Sequence, residues 1–131
     1  MSDTTFNPLD DPNADPFAIA AQAADDIARL SGVAHHDIAL TLGSGWGRAA
    51  ELLGETVASI PATDVTGFSK PALEGHVGTL RSVRTPGGKH VLVIGARTHF
   101  YEDHGVRRVV HSVRTAAATG AQTMVLTNGA G

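Results

Sequence analysis

Apolar positions along the chain switch between a period of about 3.6 residues and one of about two, and the switches mark out its elements. After an opening stretch without hydrophobic period, Ile19, Ala20, Ala23, Ile27 and Leu30 recur at helical spacing. Asp15 suits the cap of that helix, Pro16 its first turn and Gly32 its end. The apolar run Asp37 to Leu42 predicts a strand, which stops at Gly43-Ser-Gly-Trp-Gly47 and is followed by the helical pattern Arg48 to Leu53. Residues 54–75, rich in Gly, Pro, Thr and Ser, sustain no period and predict a long loop. Val77 to Arg84 and His90 to Ala96 predict two strands joined as a hairpin by Pro86-Gly87-Gly88. From about Gly105 the helical period returns, with Val106, Val109, Val110, Val113 and Ala117 on one face, Arg107, Arg108 and Arg114 off it, and Gly120 at the end. Gln122 to Thr127 predicts a last strand of buried type.

Strands alternating with helices predict an α/β fold, a mixed sheet flanked by helices. Residues 1–14, rich in Asp, Asn, Pro and Thr, are expected to form a flexible N-terminal arm, and residues 15–131 one folding unit. A parallel strand that runs into a glycine-rich loop ordinarily hands over to a helix covering the sheet. None follows Gly131, so the fold is expected to be incomplete, with an open sheet edge.

Composition narrows the function. With 42% hydrophobic and 18% charged residues the chain can fill a core. Its net charge is -3 and its ten Lys and Arg are spread thinly, so no basic stripe is offered to nucleic acid. The absence of cysteine excludes disulfides, iron–sulfur clusters and thiolate zinc sites. The N-terminus is acidic and polar where a secretory signal is basic and then apolar. The longest apolar stretch, Val91 to Ala96, is far shorter than the roughly 20 residues that span a bilayer. A cytoplasmic protein without membrane or nucleic-acid partners is expected.

In open α/β sheets ligands bind beyond the carboxyl ends of the strands, and three polar or glycine-rich clusters fall there. In Gly43-Ser44-Gly45-Trp46-Gly47 the glycines let backbone amides approach an anion and Ser44 adds a hydroxyl donor, although a tight strand-to-helix turn would look the same. Arg48 stands where a dinucleotide fingerprint would place glycine. In Arg97-Thr-His99-Phe-Tyr101-Glu102, an extended chain would put Arg97, His99 and Tyr101 on one face. Arg grips phosphate oxygens in pairs, His donates a further bond and Tyr offers a ring with a polar tip; a solvated strand end is the alternative. In Thr127-Asn128-Gly129-Ala130-Gly131, Gly129 could present a free amide or be an ordinary turn residue. His76 sits in the long loop, within reach of a ligand or merely exposed. His35, His36 and His104 have neither helical spacing nor paired carboxylates, so no metal site is expected.

Taken in order, GSGWG, EGHVG, ARTHFYE and VLTNGAG resemble the trimeric purine nucleoside phosphorylases across residues 37 to 131. The resemblance implies a nucleoside phosphorylase-like fold, of which this chain is the N-terminal portion. It implies phosphorolysis of purine (2'-deoxy)ribonucleosides to the free base and (2-deoxy)ribose 1-phosphate, in purine salvage. Inorganic phosphate would be a co-substrate, with no cofactor and no metal, in a homotrimer. It assigns phosphate to Ser44, His76, Arg97, His99 and the Gly129 amide, and the ribose to Tyr101. The residues that recognise the purine fall outside this chain, which leaves its base preference open and the 131 residues alone expected to be inactive. Trp46, Ala96 and Asp103-His104-Gly105 depart from the family pattern. A non-catalytic anion-binding or subunit-association fragment, or a member of the methylthioadenosine phosphorylase branch, are the alternatives; the latter usually reads Arg-His-Gly where this chain has Arg97-Thr-His99.

Overall fold

The computed structural model describes residues 7–42, 47–68, 78–95, 107 and 110–127. Helix α1 spans Pro16–Ser31 and α2 spans His111–Ala118. Strands β1 (Ile38–Thr41), β2 (Glu55–Pro61), β3 (Thr79–Arg84), β4 (His90–Ile94) and β5 (Thr123–Leu126) form one sheet in the order β2-β3-β4-β1-β5. β4, β1 and β5 are parallel, whereas β2 with β3 and β3 with β4 are antiparallel. The mixed α/β sheet is therefore the one expected.

Helix α1 begins and ends where its sequence says. The Asp15 carboxylate accepts from the Phe17 amide, Pro16 follows, and Gly32 closes the helix at φ 76°, a left-handed conformation that favours glycine. Ile19, Ala20, Ala23 and Ile27 are buried, while Leu30, on the same face in the last turn, is exposed. Ala23 and Ile27 pack with Ile60, Ala62, Val65, Leu80, Leu92 and Ile94 on one side of the sheet. On the other side Val83, Val91 and Val93 meet Leu42 and Ala50. Alternation along β4 thus feeds both layers, Leu92 and Ile94 one way and Val91 and Val93 the other, each side chain contributing on the order of 2 kcal/mol by burial.

Four sequence expectations are corrected. The long loop over residues 54–75 contains β2, whose pairing with β3 shifts register between Thr56 and Ala58. That irregularity breaks the period of two, and only Ile60 of the strand is buried, so no hydrophobic alternation announces it. Arg48 to Leu53 lies largely in a 3-10 helix, Gly47–Leu52. On α2 the buried residues are His111, Ser112, Thr115 and Ala116, while Val113 and Ala117 are exposed. Polarity misled there because the Thr119 hydroxyl is satisfied by the Ala116 carbonyl and the His111 ring by the Thr66 carbonyl. Finally β5 is not of buried type, since Val125 is 46% and Leu126 60% exposed. Val106 and Val109 lie outside the described residues.

Part of the expected arm is packed. Asn7 and Leu9 are buried, and a 3-10 turn at Pro8–Asp10 is capped by the Asn7 side chain, which accepts from the Leu9 amide. Residues 1–6 lie outside the described residues.

Candidate functional site

The carboxyl ends of β4, β1 and β5 stand level, because Thr41 is the register partner of both Ile94 and Leu126. β3 runs the other way, so its start joins the row: Leu80 pairs with Ile94. One further hydrogen bond ties each pair of neighbours past the last paired residue. The Leu42 amide donates to the Ile94 carbonyl at 3.1 Å, the Gly95 amide to the Thr79 carbonyl at 2.8 Å, and the Ala62 amide to the Gly78 carbonyl at 3.0 Å. Thr127 gives both its amide, at 3.0 Å, and its hydroxyl, at 2.8 Å, to the Thr41 carbonyl. A Cβ on Gly95 would lie 3.1 Å from the Thr79 oxygen, closer than a side chain ordinarily sits. With strands about 4.8 Å apart, the exits from β3 to β5 span roughly 14 Å.

Ser44, His76, Arg97, His99, Tyr101 and Gly129 all lie outside the described residues. Their anchors do not. Ser44 follows Thr41 by three residues, Arg97 follows Ile94 by three, Gly129 follows Leu126 by three, and His76 precedes Thr79 by three. The strand ends from which these four are counted all belong to one edge of the sheet.

Behind that edge lies a hydrogen-bonded cluster that sequence reading missed. Asp26 of α1 accepts both the amide and the hydroxyl of Thr66 through one oxygen, while Gln22 and Arg29 donate to the other at 3.3 Å. Burial acts to raise this carboxyl, but the bonds from Thr66, Gln22 and Arg29 outweigh it and hold it below the usual value. The Thr66 carbonyl accepts from His111 Nε2 at 2.7 Å, which fixes the proton on that nitrogen. Burial, opposed by the Thr66 bond and assisted by Arg114, lowers the His111 pKa, so the ring is neutral at pH 7. The ring also fills the space beside Gly67, which sits at φ 85° and whose missing side chain makes room for it. A lone histidine in a valine-rich helical run gives no sequence signal of such a role.

A second buried histidine lies at the opposite end of the sheet. His36 Nε2 is 2.8 Å from the Ser82 hydroxyl, and its ring meets that of His90 edge-on at 6.4 Å. Among the described residues no group of three or more His, Cys, Asp or Glu is arranged to hold a metal. No described helix is long and apolar enough to cross a membrane.

The fold is that of the nucleoside phosphorylases. It superposes on the purine nucleoside phosphorylase isoform 2 of Schistosoma mansoni, in complex with cytosine and ribose-1-phosphate, with a TM-score of 0.74 at 32% identity. That match covers 87% of this chain and 39% of the other. A second Schistosoma mansoni purine nucleoside phosphorylase structure, in complex with inosine, gives 0.74 at 26% identity, over 87% of this chain and 38% of the other. By sequence the chain is related to proteins named purine nucleoside phosphorylase. It is 59% identical over 128 residues to that of Cellulomonas sp, 95% of this chain and 45% of the relative. It is 49% identical over 122 residues to that of Mycobacterium tuberculosis, 92% of this chain and 45% of the relative. The chain thus spans less than half the length of the curated relatives it matches. No family model matches it.

Proposed function

We propose that the whole protein cleaves purine nucleosides with inorganic phosphate, giving the free base and a pentose 1-phosphate, and that this chain supplies its phosphate-binding edge. The observation that carries the reading is the level row of strand exits, each leading within three residues to a residue suited to an anion. In this reading Arg97 pairs with two phosphate oxygens, His99 and Ser44 donate to the others, and the Gly129 amide completes the cradle. His76 closes it from its own segment, and the Tyr101 ring lies against the ribose. The chemistry asks for this. A phosphate dianion must be held in line with the anomeric carbon while positive charge grows on the sugar, so that one bound group is both nucleophile and counter-charge. No cofactor is required.

The activity test is phosphate-dependent release of hypoxanthine from inosine by the protein at its full encoded length. Arsenate should substitute for phosphate, and a nucleoside hydrolysed equally well without either anion would sink the reading. The 131 residues alone are expected to show no turnover, because the purine-binding groups implied by the resemblance fall outside them. A homotrimer and a cytoplasmic location are inferred from that resemblance; sedimentation at full length tests the first.

A further inference from the structure

Residues His35 to Asp37, just before β1, join three elements at the amino end of the sheet. The His36 amide donates to the Thr119 carbonyl at the end of α2 at 3.1 Å, and the Gln122 amide, just before β5, donates to the Asp37 carbonyl at 3.1 Å. Between those two bonds Gly120, at φ 101°, lies against the His35 ring, which a Cβ there would strike. On the other flank Asp37 gives its amide to the His90 carbonyl at 2.8 Å and takes the His90 amide on its carboxylate at 2.9 Å.

The ring at the centre of this joint has no place for a second proton. His36 is fully buried, with Nε2 held by the Ser82 hydroxyl of β3. Its Nδ1 is buried with no hydrogen-bond partner among the described residues, and so is Nδ1 of His90, whose ring stands edge-on to it. A neutral ring leaves a bare acceptor there. A charged ring would put an N–H of a buried cation there with nothing to receive it, which costs far more. The charged and titratable groups around His36 do not repair this. His90 of β4 and His35 repel the proton; Asp37 attracts it, but its carboxylate is engaged by the His90 amide and drawn on by Lys89. β3 presents the uncharged Ser82 hydroxyl and α2 the uncharged Thr119 carbonyl.

Which flank yields follows from burial. Ser82 and Val83 of β3 and Val91 and Leu92 of β4 are all buried, whereas Gln122 and Thr123 are exposed and β5 ends the sheet with β1 as its neighbour. We propose that His36 is an acid-sensitive latch on the turn Thr119–Gln122: when its ring takes up a proton, the turn joining α2 to β5 comes away from the sheet while β3 and β4 stay paired. The opening is local, of the kind that precedes global unfolding. It is independent of the phosphorylase reading above.

Hydrogen–deuterium exchange tests the latch on the protein at its full encoded length, read by mass spectrometry at pH 7 and pH 5 and corrected for the pH dependence of chemical exchange. Burial lowers His36 to about 4, and the released ring returns to about 6.5, so the latch is closed above 6.5 and opens as pH falls. Exchange in a peptide containing Thr119–Gln122 should therefore quicken roughly twentyfold between the two pH values, and in Thr79–Arg84 by less than about twofold. His36→Gln should abolish the rise, and His35→Gln should leave it in place. No rise, a rise shared equally by β3, or a rise that survives in His36→Gln would overturn the latch. Should His36→Gln fail to fold, His35→Gln and His90→Gln decide: loss of the rise in either moves the proton off His36 and overturns the proposal, and its retention in both keeps the proton there.

Discussion

The His36 ring nitrogen Nε2 and the Ser82 hydroxyl meet at 2.8 Å inside the sheet, both side chains fully buried. Burial chiefly, with His90 and His35 adding to it and Asp37 opposing, lowers His36 to about 4 from 6.5. The unfolded chain therefore takes up the proton first. Stability is complete above about pH 6.5 and falls as pH drops from there through 4. The full loss is on the order of 3 kcal/mol. Urea denaturation between pH 4 and 7 should show this slope, and His36→Gln should flatten it. A parallel slope in the variant would place the titration elsewhere.

Asp26 makes a linkage of the same sign at lower pH. Its carboxyl is lowered, so its contribution is present above 3.8 and lost as pH falls below that value. Asp26→Asn should cost about 1–3 kcal/mol at pH 7, because the Thr66 amide and hydroxyl lose a charged acceptor. The gap from the parent should narrow below pH 4. Arg29 adds little, its side chain being 66% exposed.

Gly67→Ala should destabilise by about 2 kcal/mol or more. The position needs a left-handed backbone, and a Cβ there would run into the His111 ring. A shift in the urea midpoint equivalent to less than about 0.5 kcal/mol would mean that the ring moves aside freely.

At full encoded length, Arg97→Ala should raise the KM for phosphate roughly tenfold or more while changing that for inosine by less than about threefold, since an arginine paired with phosphate oxygens contributes little to the nucleoside. Equal loss for both ligands would remove Arg97 from the phosphate cradle.

Much of the scaffold was legible because its signals are local. Asp15, Pro16 and Gly32 delimit α1 by backbone chemistry that needs no partner, and Pro86-Gly87-Gly88 marks the hairpin between β3 and β4. β2 was hidden because its strand character comes from pairing with β3 and not from its own pattern. The buried face of α2 was misread because His111 and Thr115 are inside only by virtue of hydrogen bonds, which hydrophobicity does not count. The candidate phosphate residues were named from glycine-rich runs and from resemblance. What the sequence could not supply was the register that levels Thr41, Ile94 and Leu126, a property of three strands together. The bonds from Asn7 to the Gly67 carbonyl and from Arg107 to the Ala14 carbonyl were invisible for a similar reason, spanning sixty and more than ninety residues.

The amino end of the sheet is also drawn together, with Asp37 donating its amide to His90 and accepting from the amides of His90 and Gln122, and His36 donating to Thr119. His36, whose protonation destabilises the frame, therefore sits at that far end, and burial lowers the pKa of His111 as well. A chemist titrating anion affinity above neutral pH will find these two rings silent. An inflection there arises from groups other than these two rings.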